Sequence, residues 1–303
     1  MSSDNWKKRF LDYADKPVGR FLLLQGPIQA LLFSILLFPF LLEIYLSLSA
    51  WEPGPTPWFL AEFNYGQSFV QIVQDIRFLL SVGRTFLITG IAVTAEFLLG
   101  LAGALIFSKS FRGKKVLTSI FLIPMFFMPI IVAYNFWMIF QPQGPLNYII
   151  SLIIGRPFLL PWLSREIPAL IAIILTDIWE WTPFMFLIMT SGIMALPENP
   201  ISAAKVLGAS DWQVFRMVKL PMLKNIIIIA LVIRFMEAIK IFDTPFIMTG
   251  GGPGFATETL SIYTFIISIQ NGRLGYGAAA ALILLISILL LITPAVRPIL
   301  RRR

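Results

Sequence analysis

Six stretches of the chain are apolar over the ~20 residues or more that a helix needs to cross the hydrocarbon core of a bilayer. They run over Pro27–Ser49, Thr85–Phe107, Val116–Phe140, Pro168–Met194, Asn225–Met248 and Leu274–Val296. The first is read as a span and not as a cleaved leader, because it is too long and is followed by Trp51 and a Pro-rich stretch, with no small-residue cleavage site. The polar breaks between spans differ. Trp51–Gly83 opens with Pro53, Pro55 and Pro57 and then turns amphipathic. Its residues Phe69, Val70, Ile72, Val73, Ile76, Leu79 and Leu80 recur at helical spacing, which predicts a helix lying along the interface. Gln141–Ile167 is broken by Pro142, Gly144, Pro145, Pro157 and Pro161, with Trp162 as an interfacial anchor. The expected fold is all-α, a polytopic membrane protein with six transmembrane helices. Residues 1–26 form an N-terminal segment, 27–296 the membrane domain and 297–303 a basic tail.

Charge orients this pattern. Lys7, Lys8, Arg9, Lys16 and Arg20 precede the first span, and Lys109, Arg112, Lys114 and Lys115 follow the second. Lys205, Arg216, Lys219 and Lys224 lie between the fourth and fifth, and Arg297 and Arg301–Arg303 close the chain. The opposite loops hold only Arg77, Arg84, Arg156, Arg165 and Arg273. The positive-inside rule therefore predicts a multi-pass cell-membrane protein with both termini, and the 197–224 loop, in the cytoplasm. Composition agrees: 57% of residues are hydrophobic and 13% charged, against roughly 45–50% and 25% in soluble domains. The net charge of +8 then reports topology and not nucleic-acid binding.

Several chemistries are excluded. There is no Cys and no His, so there is no thiol chemistry, no His-containing nucleophile set, and the commonest general base and metal ligand is absent. No phosphate-loop spacing occurs, and Gly250–Gly254 reads as the turn that ends the fifth span. Transport is the default. Ionisable residues inside spans are costly and mark pairing or function. Span four carries Asp177 and Glu180, and span five carries Arg234, Glu237, Lys240 and Asp243. Two readings stand together: inter-helix pairing, such as Asp177 or Glu180 with Arg234, and a hydrophilic transport cavity. Trp181 and Phe184 beside the carboxylates suit a polyhydroxylated ligand, and they equally suit helix packing. Glu43 and Glu96 read as isolated intramembrane acids, and Gly100, Gly103 and Ala104 as a packing face.

The loop after span four is the most structured polar segment. Asn199-Pro200 starts a helix, Gly208 interrupts it, Ser210 or Asp211 is available to cap a second, and Pro221 stops that one. Ala203, Ala204, Gly208 and Ala209 allow close approach. Val206, Leu207, Trp212, Val214, Phe215 and Met217 offer apolar contact, as in a helix laid in a partner's groove. An amphipathic helix on the inner leaflet is the alternative.

At these residues the chain resembles the permease subunits of ATP-binding-cassette importers. Their signature is E-A-A-x-x-x-G-A followed by an apolar run ending in L-P. Here it reads Ser202-Ala203-Ala204-Lys205-Val206-Leu207-Gly208-Ala209, then Phe215, Leu220 and Pro221. Ser202 stands where the family has Glu, and Leu207 where Asp is common. The Glu is expected to meet a basic residue of the ATPase, so here either a partner adapted to Ser or a weighting toward Gly208 and the apolar anchors would compensate. Asn64-Tyr65, Thr85, Leu99-Gly100-Leu101, Phe121-Leu122-Ile123-Pro124, Trp137, Gly144 and Asn147 fall in the order of sugar permeases. The block Phe242-Asp243…Met248-Thr249-Gly250-Gly251-Gly252-Pro253…Thr257-Glu258-Thr259-Leu260…Tyr263 is similar to the first of two permeases in maltose-type importers.

The resemblance implies a type I importer permease fold and a non-catalytic subunit without a cofactor of its own. ATP-Mg would be bound by two copies of a partner ATPase. A second, related permease and an extracytoplasmic sugar-binding protein would complete the assembly. The docking loop would comprise Ser202, Ala203, Ala204, Val206, Leu207, Gly208, Ala209, Trp212, Phe215, Leu220 and Pro221. Substrate contacts would come from the flanking spans, making Asp177, Glu180, Trp181, Phe184, Arg234, Glu237 and Ala238 the pathway candidates. The competing expectation is a proton- or ion-coupled secondary transporter with Asp177, Glu180 or Glu237 as carrier. Paired broken helices and inverted repeats would favour it, and neither is evident in the sequence.

Overall fold

The computed structural model describes residues 21 and 25–300, and in that range the chain is helical apart from its connections. The one pairing of extended backbone among the described residues is an isolated antiparallel bridge between Ser49 and Phe63. The expected N-terminal segment lies almost wholly outside the described residues, as do the last three arginines of the tail.

Helix α1 (Gly26–Ser47) is apolar all round and leaves most of its surface uncovered, as a lipid-facing span does. Its C-terminal end meets the last helix, whose Gly275 brings its backbone against the carbonyls of Leu46 and Ser49. The amphipathic run after Pro57 does not form one interfacial helix. It divides into α2 (Gln67–Gln74) and the start of α3 (Ile76–Phe107). Asp75 makes the division: its side chain accepts from the Arg77 amide at 2.8 Å and caps α3. The second span therefore begins at Ile76, nine residues before the Thr85 expected from apolarity. Arg77 is accommodated because Glu258 takes its guanidinium, Nε to Oε2 at 2.9 Å.

Helix α3 packs along α7 (Glu166–Met194), and the two with α10 (Leu220–Ala238) enclose a core of Val93, Leu101, Ala104, Met185, Phe186, Met189, Leu223 and Ala230. Gly100 sets their separation, since a Cβ there would lie 2.7 Å from both the Met185 Cβ and the Phe186 amide nitrogen. Gly100→Ala is expected to cost about 1–3 kcal/mol by overpacking, read as a lower unfolding midpoint in detergent. Gly90→Ala, where a Cβ meets nothing within 4 Å, serves as the control, and equal midpoints for the two would refute the tight crossing.

Two of the expected spans are not straight helices. Val116–Phe140 is α4 (Lys114–Leu122), a 3-10 turn (Ile123–Phe126) and, after Phe127 and Met128, α5 (Pro129–Ile139), bent by 95° at the break. Pro124 and Pro129 lack the amides that a continuous helix would use. Asn225–Met248 is α10, a non-helical stretch at 239–242, and α11 (Asp243–Thr249). Pro245 explains this break, because its ring would clash with the Ile241 carbonyl in an unbroken helix. The carbonyls freed there are taken by hydroxyls: Thr259 donates to Ile241 at 3.0 Å and Ser261 to Lys240 at 3.1 Å. Irregular backbone at membrane depth is tolerated where protein groups satisfy it in this way. Helix α11 packs against α5, so the two short pieces face each other.

Among the described residues four helices are long and apolar enough to cross a membrane, or five if the bent pair counts as one span. The expected count of six was reached by including α10. That helix is 19 residues long but carries Lys224, Arg234 and Glu237. After Gly250–Gly254, where Gly250, Gly251 and Gly254 have positive φ, the chain forms α12 (Leu260–Phe265), a π-helical stretch (Ile266–Gln270) and the last span α13 (Leu274–Leu300). Helix α6 (Pro145–Ile154) fills the connection before α7.

Candidate functional site

Arg234 lies where α3, α7 and α10 converge, and only 2% of it is exposed. Its guanidinium takes Glu96 of α3 in a two-pronged bond, Nε to Oε2 at 2.6 Å and Nη2 to Oε1 at 2.9 Å. Nη2 also donates to Asp177 of α7 at 2.5 Å. The planar fork of Arg fits a carboxylate in this manner, which a Lys could not reproduce. The outer face of the guanidinium is covered by the Trp181 ring, 4.8 Å from Cζ to centroid. Asp177 and Trp181 are four residues apart on α7, so they stand one above the other on one face. The expected pairing of Arg234 with Asp177 is present. Glu96 is not isolated as its sequence position suggested, but makes two of the three bonds to Arg234.

Beside this cluster opens a cavity of about 260 Å³, near the small end of the range for small-molecule sites, about 300–1,000 Å³. Asp177, Glu180, Trp181, Arg234, Glu237 and Ala238 all line it. Phe184 does not. Its ring meets Trp181 edge-on at 6.2 Å and so holds the indole in place. The break between α10 and α11 supplies the remaining wall: Lys240, Ile241, Phe242, Asp243 and Thr244, with Pro129 from α5. Glu237 accepts from Lys240 Nζ at 3.1 Å. Glu180 is 1% exposed, and its Oε2 has no hydrogen-bond partner. A buried carboxyl oxygen without a partner is costly, and here it borders the cavity.

The Ser202–Pro221 loop joins the two helices that carry these residues. Helix α8 (Glu198–Val206) has Pro200 in its first turn, as the sequence suggested. It ends where Gly208 adopts φ +84°. Ser210 is the cap of α9 (Asp211–Val214): its Oγ accepts from the Gln213 amide, and the Gln213 side chain accepts from the Ser210 amide at 2.8 Å. Pro221 does not stop the second helix. The chain passes through a π-helical stretch (Phe215–Lys219) directly into α10, of which Pro221 is the second residue, so Pro221 lies within a continuous helical run.

Within the loop the apolar residues divide. Val206 is 88% exposed and Leu207 87%, with Trp212 and Met217 also exposed. Val214 is instead buried, and Phe215 packs on the α3–α7–α10 core. Ser202, Ala203 and Pro221 are exposed, whereas Ala204, Ala209 and Leu220 are half-buried. A membrane-bound helix would gather its apolar residues on one face. Here two exposed apolar residues precede the Gly208 turn and two follow it.

Residues 96–303 match the family of binding-protein-dependent transport system inner membrane components. The chain belongs to this family. The trehalose/maltose transport system permease protein of Thermococcus litoralis is 34% identical over 226 residues, covering 74% of this chain and 75% of that protein. The sulfoquinovosyl glycerol transport system permease protein of Agrobacterium fabrum is 31% identical over 280 residues, 91% of this chain and 88% of that one. Among solved structures, a bacterial ABC transporter involved in the import of the acidic polysaccharide alginate superposes with a TM-score of 0.78. It is 21% identical and covers 94% of this chain and 97% of its own. This inner membrane component therefore has the fold of an ABC importer permease, and the cavity and the loop are features of a membrane-embedded transport subunit.

Proposed function

We propose that the chain is the permease subunit of an ATP-driven importer and carries a sugar that an extracytoplasmic binding protein delivers. The observation that carries the reading is the cavity at the break between α10 and α11, lined by Trp181 and carboxylates and bordered by the unpartnered Glu180. An aromatic face covers the C–H side of a sugar ring while carboxylates accept from its hydroxyls. Permeases named for trehalose and maltose among the relatives support the substrate class. The Gly208 loop would dock a separate ATPase through Val206, Leu207, Trp212 and Met217, with Ser202 in place of the usual acid. A second related permease and two ATPase copies would complete the assembly, and the termini and the docking loop would face the cytoplasm by the distribution of Lys and Arg. Broken spans also occur in secondary transporters. Family membership favours the ATP-driven reading over a proton-coupled one.

The test is co-purification and energisation. The tagged chain, expressed with its genomic neighbours, is expected to bring down an ATPase, and vesicle uptake is expected to require ATP and ignore a proton gradient. Uptake that follows the gradient, with no ATPase recovered, would sink the reading. Within the complex, Trp181→Ala is expected to lower sugar uptake about tenfold through the lost stacking face, on the order of 1–2 kcal/mol. Unchanged uptake would remove Trp181 from the pathway.

A further inference from the structure

Both cations of the cavity are engaged, whereas two of its four carboxylates are not. Arg234 is held by Glu96 and Asp177, and Lys240 by Glu237. Among the described residues these are the two basic ones that line the cavity. Four acids line it: Asp177, Glu180, Glu237 and Asp243. Glu180 has one oxygen with no hydrogen-bond partner, and Asp243 takes part in no ion pair among the described residues. An anionic ligand would therefore find no unpaired positive group, and would approach the carboxyls of Glu180 and Asp243. A hydroxylated ligand without charge meets the opposite situation, since its O–H groups donate to the oxygens that lack partners.

We propose that the cavity selects sugars bearing no negative charge and turns away those carrying a carboxylate, sulfonate or phosphate. The inference rests on the sugar-permease reading and narrows it. It separates this chain from what sequence similarity alone allows, because the relatives include proteins named for both neutral and anionic substrates. The juxtaposition responsible is local. Glu180 comes from α7 and Asp243 from the first turn of α11, and the Pro245 break lets both border one cavity. A like charge brought to within several ångströms in a medium of intermediate polarity disfavours occupancy by roughly a hundredfold.

The experiment uses the whole transporter in proteoliposomes with its binding protein. The probes are trehalose and maltose as neutral disaccharides, and glucuronate-containing disaccharides and trehalose 6-phosphate as anionic ones, each at concentrations giving equal occupancy of the binding protein. The expected result is an uptake ratio of neutral to anionic sugar of about a hundred or more. In a Glu180→Gln/Asp243→Asn variant the ratio should narrow at least about tenfold, because the Asp243 charge and the Glu180 carboxyl are gone while selection by the binding protein is unchanged. If the double variant does not assemble, Asp243→Asn alone, at a half-buried position, should narrow the ratio severalfold. Comparable uptake of both classes, or a ratio that neither variant changes, would overturn the charge selection. ATP-driven uptake of neither class would instead overturn the sugar-permease reading beneath it.

Discussion

Replacing Arg234 by methionine is expected to disrupt the membrane domain more than any other single substitution in the cavity. The change keeps most of the volume and removes the charge that holds Glu96 and Asp177. Two carboxylates would then face each other, buried, with no counter-ion. Breaking a buried ion pair from one side costs about 3–5 kcal/mol, far above the 0–1 kcal/mol of a surface pair. In the solubilised complex this should lower the unfolding midpoint by roughly 6 °C or more. Removing all three charges together, with Glu96→Leu and Asp177→Leu added to Arg234→Met, should recover much of that loss, because an apolar cluster of similar size substitutes well for a buried triad. Transport should stay impaired in the triple variant, since Asp177 and Arg234 line the cavity. An Arg234→Met protein that melts with the wild type would show that the three helices are not held by this cluster.

The sequence announced the spans through apolarity but not where they break. Pro245 and Pro129 were visible, yet a proline near the end of an apolar run also fits a kink inside a continuous helix. What decides for a break is the pair of hydroxyls at Thr259 and Ser261, which accept the task of bonding the freed carbonyls from about 20 residues away. No local pattern encodes that. Asp75 shows the converse case: a single N-cap shifted the start of α3 into a run that its periodicity assigned to the interface. For the cavity, Asp177, Glu180, Arg234 and Glu237 were legible because charge inside a span demands a reason, and Trp181 because it stands beside those carboxylates in sequence. Glu96 was legible as an anomaly and not as a partner, since its bond to Arg234 spans 138 positions. Gly100, one turn further along α3, marks a close approach to Met185 and Phe186 of α7, and nothing near it in sequence points to α10. Phe184 was placed in the cavity because it neighbours Trp181 in sequence, and the helix turns it behind the indole instead.

The same arrangement says how a movement at the loop would reach the cavity. Helix α7 leads from Asp177 to Met194 and into the loop, and α10 leads back from Leu220 to Arg234. Near the loop the two helices touch closely, since a Cβ on Gly192 would sit 3.1 Å from the Ile226 side chain and 3.2 Å from that of Leu223. At the far end Asp177 and Arg234 join them again. The loop thus holds two helices that are tied to each other at both ends, at Gly192 and Asp177, about 22 Å apart along α7. Packed elements of this kind shift as bodies and do not deform continuously.

Gly208→Trp is therefore expected to abolish coupling without unfolding the membrane domain. Gly208 has φ +84°, and a Cβ built there meets nothing within 4 Å. The glycine is needed for its backbone conformation, which costs other residues about 1–2 kcal/mol, and not for internal space. A tryptophan side chain would project between the exposed Val206–Leu207 pair and Trp212, on the surface proposed to meet the ATPase. Gly208→Asn tests the backbone contribution separately, because Asn enters the left-handed region readily and adds little bulk. Uptake in vesicles should fall at least about tenfold with Trp, equivalent to about 1.4 kcal/mol of lost coupling, and only severalfold with Asn. The amount of protein in the membrane and the midpoint set by Arg234 should remain near wild type for both. Uptake by Gly208→Trp within about twofold of wild type would mean that the loop is not the docking surface. An equal loss with Asn and Trp would place the effect in the backbone turn and not in the surface it presents.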